Sequence, residues 1–565
     1  MSTTPPSQTA QLRGDRRRPW RVAALAVTAA LVVAACSSSS SKSGSTASTG
    51  SSGSGSSSNS GGSGGAKVTA PAVVNIGFVA DMGVPDPDIF YELEGNVVIT
   101  SAYEGLLQYG NNTTQIIPDL ATSWTISPDG MTYTFQLRPN VMFHDGSGPM
   151  TSKDVAASFM RRTALGATSP PGYMLTSVAS YDTSNPQVLV IHLKQPVAPF
   201  LDYLAAPYGP KVEDASGLAA HAGTDMDQTW LKTHDLGTGP YTISQFVPGD
   251  HYTLTSFPQW WGGVPQVTEI HISILPDLST QQLELQSGQL QMILHGLSIQ
   301  DEATYEHNPK YQVLRFPANF KLLLAINMHS GIFQSLALRQ ALRQAVNKAE
   351  IVSAVYGQDA TVSTQIYPTG ELPLPLGADD PTYDPSVLAN LVKGLSDKHV
   401  DLAYTNDDAR NQRVAEIIQT ELQSAGLDAT VRGIPLTLAY SLSSEPSQRP
   451  DLLLTTTNPD ASAPDTWVRI YLHTVNSTDG SLNYLDCSVP AADQAMDTGL
   501  HLTSPSAVQA AYGQAGDDLS ASGCIDNIAD VEDVVVAAAG YSNWFHQPPD
   551  LFTVRFGLLK LSSGS

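Results

Sequence analysis

Apolar and polar residues alternate in short runs along most of this chain, and helical spacings separate those runs in its second half. Val73 to Phe78 alternates and predicts a first strand. Trp124 and Ile126 alternate with polar neighbours, Pro128-Asp129-Gly130 supplies turn chemistry, and Tyr133, Phe135 and Leu137 alternate again, which predicts a hairpin. Thr151 or Ser152 is placed to cap a helix through Val155, Phe159 and Met160. Further strands are predicted at Val188 to Leu193, at Tyr241 to Phe246, over Tyr252, Leu254 and Ser256, and at Leu322 to Asn327. Helices are predicted over Tyr103-Glu104-Gly105-Leu106-Leu107 and over Gln281 to Leu290, the latter ending near Gly288. Leu338, Ala341, Leu342, Ala345 and Val346 have the 3,4 spacing of a core-facing helix.

Residues 399 to 455 give the clearest mixed pattern. Val400 to Tyr404 predicts a strand, and Ala409 to Ala425 a helix with Val414, Ile417, Ile418 and Leu422 on one face. Gly426 is a stop, and strands follow at Ala429 to Arg432 and Asp451 to Thr455. Strand, helix, strand implies a parallel pair with a right-handed crossover. The 495 residues from position 71 onward are too many for one core, so two or three domains are expected.

The N-terminus adds an address. Arg13, Arg16, Arg17, Arg18 and Arg21 precede an uncharged run from Val22 to Ala35. That run is shorter than the roughly 20 residues of a membrane span and suits a signal peptide. It ends Val33-Ala34-Ala35-Cys36, which looks like a lipobox with Cys36 as the lipidated residue. Residues 37 to 66 are almost wholly Ser and Gly and predict a flexible tether spanning roughly 30 Å. With Cys36 lipidated, Cys487 and Cys524 remain as one pair in an oxidising compartment, and a disulfide between them is expected. Removing residues 1–35 takes away five Arg and one Asp, so the formal charge of −24 becomes −28. A body that acidic repels nucleic acid and anionic lipid headgroups.

Enzyme signatures fail on context. Gly61 to Gly65 matches a nucleophile elbow in letters, yet lies in the Ser/Gly tether with no strand before it. His144 beside Asp145 admits acid–base chemistry or a structural turn. The thirteen His show no metal-ligand spacing, and no phosphate loop occurs.

The wording of residues 121–155 is specific: Trp124, then Pro128-Asp129-Gly130, Phe135, Arg138 and Phe143-His144-Asp145-Gly146, then Lys153-Asp154-Val155. Gly237-Thr238-Gly239-Pro240-Tyr241 and Trp260-Trp261-Gly262-Gly263 form a second landmark. Asp86-Pro87, Glu104-Gly105-Leu106 and Arg339-Gln340-Ala341-Leu342 add to it. Together these resemble the family 5 extracellular solute-binding proteins of ABC importers, which include oligopeptide- and dipeptide-binding proteins. Gln291 and Asn347-Lys348 depart from the family pattern of an acidic residue and Asp-Arg.

The resemblance implies an α/β, two-lobed periplasmic-binding-protein-like fold of three domains. Domain I would use residues 71–107, 237–333 and 530–565, domain II residues 108–236, and domain III residues 334–529. Residues 1–35 would be the signal peptide and 36–70 the lipidated Cys and tether. It implies a monomer that binds a peptide between closing lobes and passes it to an ABC permease driven by separate ATPase subunits. It implies no cofactor, no nucleic acid and no catalysis. The location would be the outer face of the cytoplasmic membrane, by lipid anchor. In peptide-binding relatives an Asp, three residues, then Pro place a carboxylate against the peptide ammonium, and Asp460 and Pro464 match that spacing. Asp460 and Asp465 would otherwise serve as turn or helix caps. Asn458, Thr457 and Trp467 surround Asp460 in sequence, Thr457 standing where those relatives often have an aromatic residue. Tyr91 falls in a segment that lines the cleft in the family. Two alternatives share the fold: a binder of another solute (a sugar, an opine-like compound or a chelated metal), and a lipoprotein that regulates envelope enzymes without transport.

Overall fold

The computed structural model describes residues 70–562, apart from Leu374 and residues 475–481. The expected signal peptide, the expected lipidation at Cys36 and the Ser/Gly-rich residues 37–66 lie outside the described residues. No described helix is long and apolar enough to cross a membrane.

An eleven-stranded mixed sheet runs through the molecule. Ten strands follow in the order Asp428–Ile434, His399–Thr405, Leu452–Thr457, Tyr311–Ile326, Ile525–Ala538, Met292–Ile293, Val73–Phe78, Glu269–Ile274, His251–Ser256 and Tyr241–Val247. Ala360–Val362 pairs with Ile525–Ala538 off that path. His399–Thr405 is parallel to both of its neighbours, with the helix Ala409–Ser424 between it and Asp428–Ile434. The two halves of the sheet are joined by the long strands Tyr311–Ile326 and Ile525–Ala538, which pair antiparallel from Tyr311 opposite Ala538 to Ala325 opposite Ile525. Their register slips between Phe316 and Phe320, a β-bulge of the kind that bends a strand and re-aims its side chains. A separate antiparallel sheet takes the order Ala121–Ile126, Thr132–Leu137, Val188–Leu193, Val178–Asn185. These features form the two-lobed α/β fold expected from the sequence.

Most predicted elements appear within two residues of their expected ends. The helix Ser152–Leu165 is capped by Thr151, with Asp154 bonding back to the Thr151 backbone. Val155 and Phe159 are buried on it, while Met160 faces solvent. The helix Leu278–Ser287 begins earlier than expected because Asp277 caps it, and it ends at Gly288 in the left-handed region. The Leu322 strand extends back to Tyr311.

One expectation is corrected. Tyr103 to Leu107 is not helical: the helix is Asn96–Ala102, and Leu107 opens the strand Leu107–Tyr109. Tertiary bonds claim this backbone. The Glu104 carbonyl accepts from the Val212 N–H and the Gly105 carbonyl from the Leu120 N–H. The Glu104 carboxyl turns inward and accepts from Thr238 Oγ1 at 2.8 Å and from both indole N–H groups of Trp260 and Trp261 at 2.9 Å.

Cys487 and Cys524 are joined, with Cα atoms 5.6 Å apart. His144 is structural: it pairs with Asp235 and contacts the Gly239 carbonyl at 2.9 Å, tying its turn to the Gly237–Tyr241 segment.

A buried ion network fixes the segment that leads to Tyr91. Arg161 meets Asp86 in a bidentate pair at 2.9 and 2.6 Å and Asp88 at 2.9 Å, with Glu213 3.7 Å away. Burial holds the Glu213 carboxyl well above the usual range and the Asp88 carboxyl at about 6. Removing one member of such a cluster strands the others. Arg161→Met is expected to cost about 3–5 kcal/mol in chemical denaturation at pH 7, and a change under about 1 kcal/mol would mean that the network carries no stability.

Candidate functional site

Asp460 follows the strand Leu452–Thr457, at the carboxyl end where open α/β sheets place ligand loops. Its loop is held from several sides. Pro464 opens the helix Pro464–Leu472, whose Thr466 hydroxyl contacts the carbonyls of Ala461 and Ala463 at 2.5 and 2.7 Å. The Ser462 N–H donates to the Tyr109 hydroxyl at 2.9 Å, and the Ser462 hydroxyl donates to Asn319 Oδ1 at 2.5 Å. Asn319 lies in the register slip of the long strand, so the bulge aims it at this loop. Tyr471 OH donates to the Asn458 carbonyl at 3.1 Å.

The Asp460 carboxylate is only 4 % exposed. Two phenols from other parts of the chain cover it: Tyr91 OH donates to one oxygen at 2.7 Å and Tyr173 OH to the other at 2.8 Å. It forms no ion pair among the described residues. Burial raises its pKa to about 6, and the two phenol hydrogen bonds, with the more distant charge of Arg162, oppose that rise. Burial and the Asp460 charge push the Tyr91 phenol up as well. A carboxylate in this setting is under-compensated, and a cation brought to it gains a charge-assisted hydrogen bond of roughly 1.5–3 kcal/mol.

Asp460 opens onto a cleft of about 640 Å³. Aromatic walls come from Tyr91, Tyr208, Tyr404, Tyr440, Tyr471, Phe320 and Phe552, and polar groups from Thr456, Asn458, Asn406 and Gln412. A second chamber of about 770 Å³, walled by Met82, Val84, Ile89, Phe90, Ile470 and Leu482, shares Tyr91, Glu92 and Tyr440 with the first. Among the described residues no group of three or more His, Cys, Asp or Glu side chains is arranged to hold a metal ion.

Residues 115–479 match the profile of "Bacterial extracellular solute-binding proteins, family 5 Middle". The chain belongs to this family of solute-binding proteins. A putative ABC transporter peptide-binding protein of Brucella ovis is 25 % identical over 431 residues, which cover 73 % of this chain and 79 % of that one. The fold matches an ABC transporter-associated periplasmic binding protein of Helicobacter pylori in complex with the peptide STSA. The TM-score is 0.74 and the identity 21 %, over 87 % of this chain and 98 % of that one. It also matches a Brucella suis protein in complex with Fe(III)-EDTA, with TM-score 0.76 and identity 21 %, over 87 % and 100 %.

In this solute-binding protein Asp460, Asn458 and Tyr91 line the cleft together. Thr457 and Trp467, also expected at the site, do not line it. Strand alternation turns Thr456 toward the cleft and Thr457 away, where its hydroxyl accepts from the Trp467 indole N–H at 3.2 Å. Trp467 is fully buried beneath the loop. Asp465 is structural, engaged by Tyr512 OH at 2.6 Å and Arg469 Nε at 2.8 Å. Tyr173 was missed, although Pro170-Pro171-Gly172 before it marks a forced turn that presents an aromatic residue. Tyr404 was missed at a predicted strand end, a position where a ligand-facing residue is expected.

The raised pKa has a stability consequence with a definite sign. Between the ordinary 3.8 and about 6 the unfolded chain ionises this group while the folded one resists. Its contribution to stability therefore falls as pH rises through that window and stays low above it. Asp460→Asn should raise the unfolding temperature at pH 8, reflecting up to about 3 kcal/mol, and the gain should vanish near pH 4. Equal or lower stability of the variant at pH 8 would contradict the buried, under-compensated carboxylate.

Proposed function

We propose that this protein captures peptides by their free amino terminus and delivers them to an ABC permease. One observation carries the proposal: Asp460 is a buried carboxylate facing a large cleft, held by two phenols and in no ion pair among the described residues. A peptide α-ammonium supplies the missing charge, and the tyrosine-rich walls accept varied side chains while main-chain hydrogen bonds hold the backbone. The peptide-binding relative in Brucella ovis and the peptide-bound fold neighbour in Helicobacter pylori support this reading.

The rest of the proposal follows the sequence. Cys36 carries a lipid after removal of residues 1–35, residues 37–66 tether the body outside the cytoplasmic membrane, and the body works as a monomer without cofactor or catalysis. Its lobes close by a hinge at the two long strands, with domain I (71–107, 237–333, 530–565), domain II (108–236) and domain III (334–529) moving as units. The second reading, a non-peptide solute, is favoured by the fold neighbour that holds Fe(III)-EDTA. The cleft that Asp460 lines also carries Asp81, Glu92, Glu94, Asp407 and Asp408, which disfavours a chelate of net negative charge.

Native mass spectrometry of the purified protein, followed by denaturing release, is expected to show a ladder of short peptides. A single non-peptide mass would overturn the peptide reading. For a peptide so recovered, Asp460→Asn should weaken binding by about tenfold or more. Wild-type affinity should fall by up to about tenfold per pH unit below 6, as protonation removes the charge. An affinity flat between pH 5 and 8 would remove Asp460 from the contact.

A further inference from the structure

Another cavity, of about 270 Å³, shares no lining residue with the cleft that Asp460 lines. Three landmarks of the sequence meet there: Glu104-Gly105, Pro240 and Trp260-Trp261-Gly262. The Glu104 carboxyl, engaged by Thr238 and by both indole N–H groups, fixes the two tryptophans as walls. Gly262 lets the Trp260 ring fold back, since a Cβ there would stand 2.4 Å from that ring. Gly557 lets the segment after Arg555 close against this wall: a Cβ on it would lie 2.7 Å from Pro240 and 3.6 Å from Trp260. Leu107 and Phe556 add to the apolar lining.

The same cavity is lined by polar groups with bonds left to make. Gln547 is only 1 % exposed. Its Nε2 donates to Gln108 Oε1 at 3.1 Å, while its buried Oε1 has no hydrogen-bond partner among the described residues. Arg555 donates from Nη1 to the Thr100 carbonyl at 3.2 Å and pairs through Nη2 with Asp550 at 2.7 Å. Its buried Nε has no partner among the described residues. Buried Lys211 has three donors, and the one hydrogen bond it makes among the described residues goes to the Ala206 carbonyl at 3.1 Å. Burial, with the charge of Arg555, holds the Lys211 ammonium down at about 7, against the pull of Asp550 and Asp119. Asp119 is buried in the same lining. Backbone bonds gather these groups round one segment. The Val212 N–H donates to the Glu104 carbonyl at 3.0 Å, and the Asp119 N–H to the Leu106 carbonyl at 3.3 Å.

Unused donors on Lys211 and Arg555 call for a carboxylate. The orphaned Gln547 oxygen, with Asp119, calls for an ammonium. The charged lining residues, Glu104, Asp119, Lys211 and Arg555, are two of each sign, which suits a ligand that carries both charges and no net charge. The volume lies below the roughly 300–1,000 Å³ of pockets for drug-sized ligands, so the occupant is smaller than a peptide. We infer that this cavity is a second binding site, for one free α-amino acid with an apolar side chain. Its carboxylate lies on Lys211 Nζ and Arg555 Nε, its ammonium on Gln547 Oε1 and Asp119, and its side chain against Trp260 and Trp261. The site stands apart from the reading of Asp460.

Isothermal titration of the full-length protein with L-leucine, 4-methylpentanoate and 3-methylbutylamine tests the inference. Leucine is expected to bind with the same affinity in the wild type and in Asp460→Asn. Each analogue, lacking one of the two charges, should bind at least about tenfold more weakly. Lys211→Met and Gln547→Met should each weaken leucine binding by about tenfold or more, and Gln547→Met reads the site even if Lys211→Met does not fold. No leucine binding by the wild type overturns the site. Leucine binding lost in Asp460→Asn and kept in Gln547→Met would put the amino acid in the cleft and overturn it as well. Equal affinity for 4-methylpentanoate overturns the ammonium contact, and equal affinity for 3-methylbutylamine the carboxylate contact.

Discussion

A buried carboxylate with no ion-pair partner among the described residues organises this protein. Asp460 sits under Tyr91 and Tyr173, residues distant in sequence from it and from each other. An isolated buried charge is costly, so its surroundings must hold the phenols in place and keep the loop from relaxing. The loop bonds to Tyr109 and Asn319 do the second job. The Arg161 network beside Asp86 does the first, because it anchors the segment that presents Tyr91. On the proposed function, a ligand cation would restore the stability given up there.

That arrangement would make binding and the proposed closure one event. Asp460 follows the strand Leu452–Thr457, while Tyr91 and Tyr173 come from segments far from it in sequence. Tyr311–Ile326 and Ile525–Ala538 are the covalent thread between the sheet halves, and their register slip lies next to the residue that steadies the Asp460 loop. A change in angle at those strands would alter the distance between carboxylate and phenols. A cation at Asp460 would strengthen the same contacts that a closed cleft requires.

Much of the fold was legible because its elements follow local rules. The strand Val73–Phe78, the 121–137 hairpin, the capped helix at Ser152 and the 399–457 strand–helix–strand unit announce themselves by period and punctuation. The segment after Ala102 did not, because its backbone bonds to residues 119–121 and to Val212, and the Glu104 carboxyl answers to partners more than one hundred residues away. In the site, the spacing of Asp460 to Pro464 pointed to a residue that the structure places on the cleft. Thr457 misled because neighbouring strand residues face opposite ways, so one residue of offset exchanges cleft for core. Trp467 misled because a large aromatic near a ligand loop can as well be the floor beneath it. Tyr173 depends on tertiary folding to reach Asp460, and no local pattern connects the two.

The most direct measurement is the number of protons released when an amine ligand binds at pH 6, obtained from titration calorimetry in buffers of different ionisation enthalpy. With Asp460 titrating at about 6, half the free molecules carry its proton. Ligand binding should then expel about half a proton per molecule, and Asp460→Asn should abolish that release. Binding with no proton released by the wild-type protein would mean that the cation is held elsewhere, and the central place given to Asp460 would be wrong.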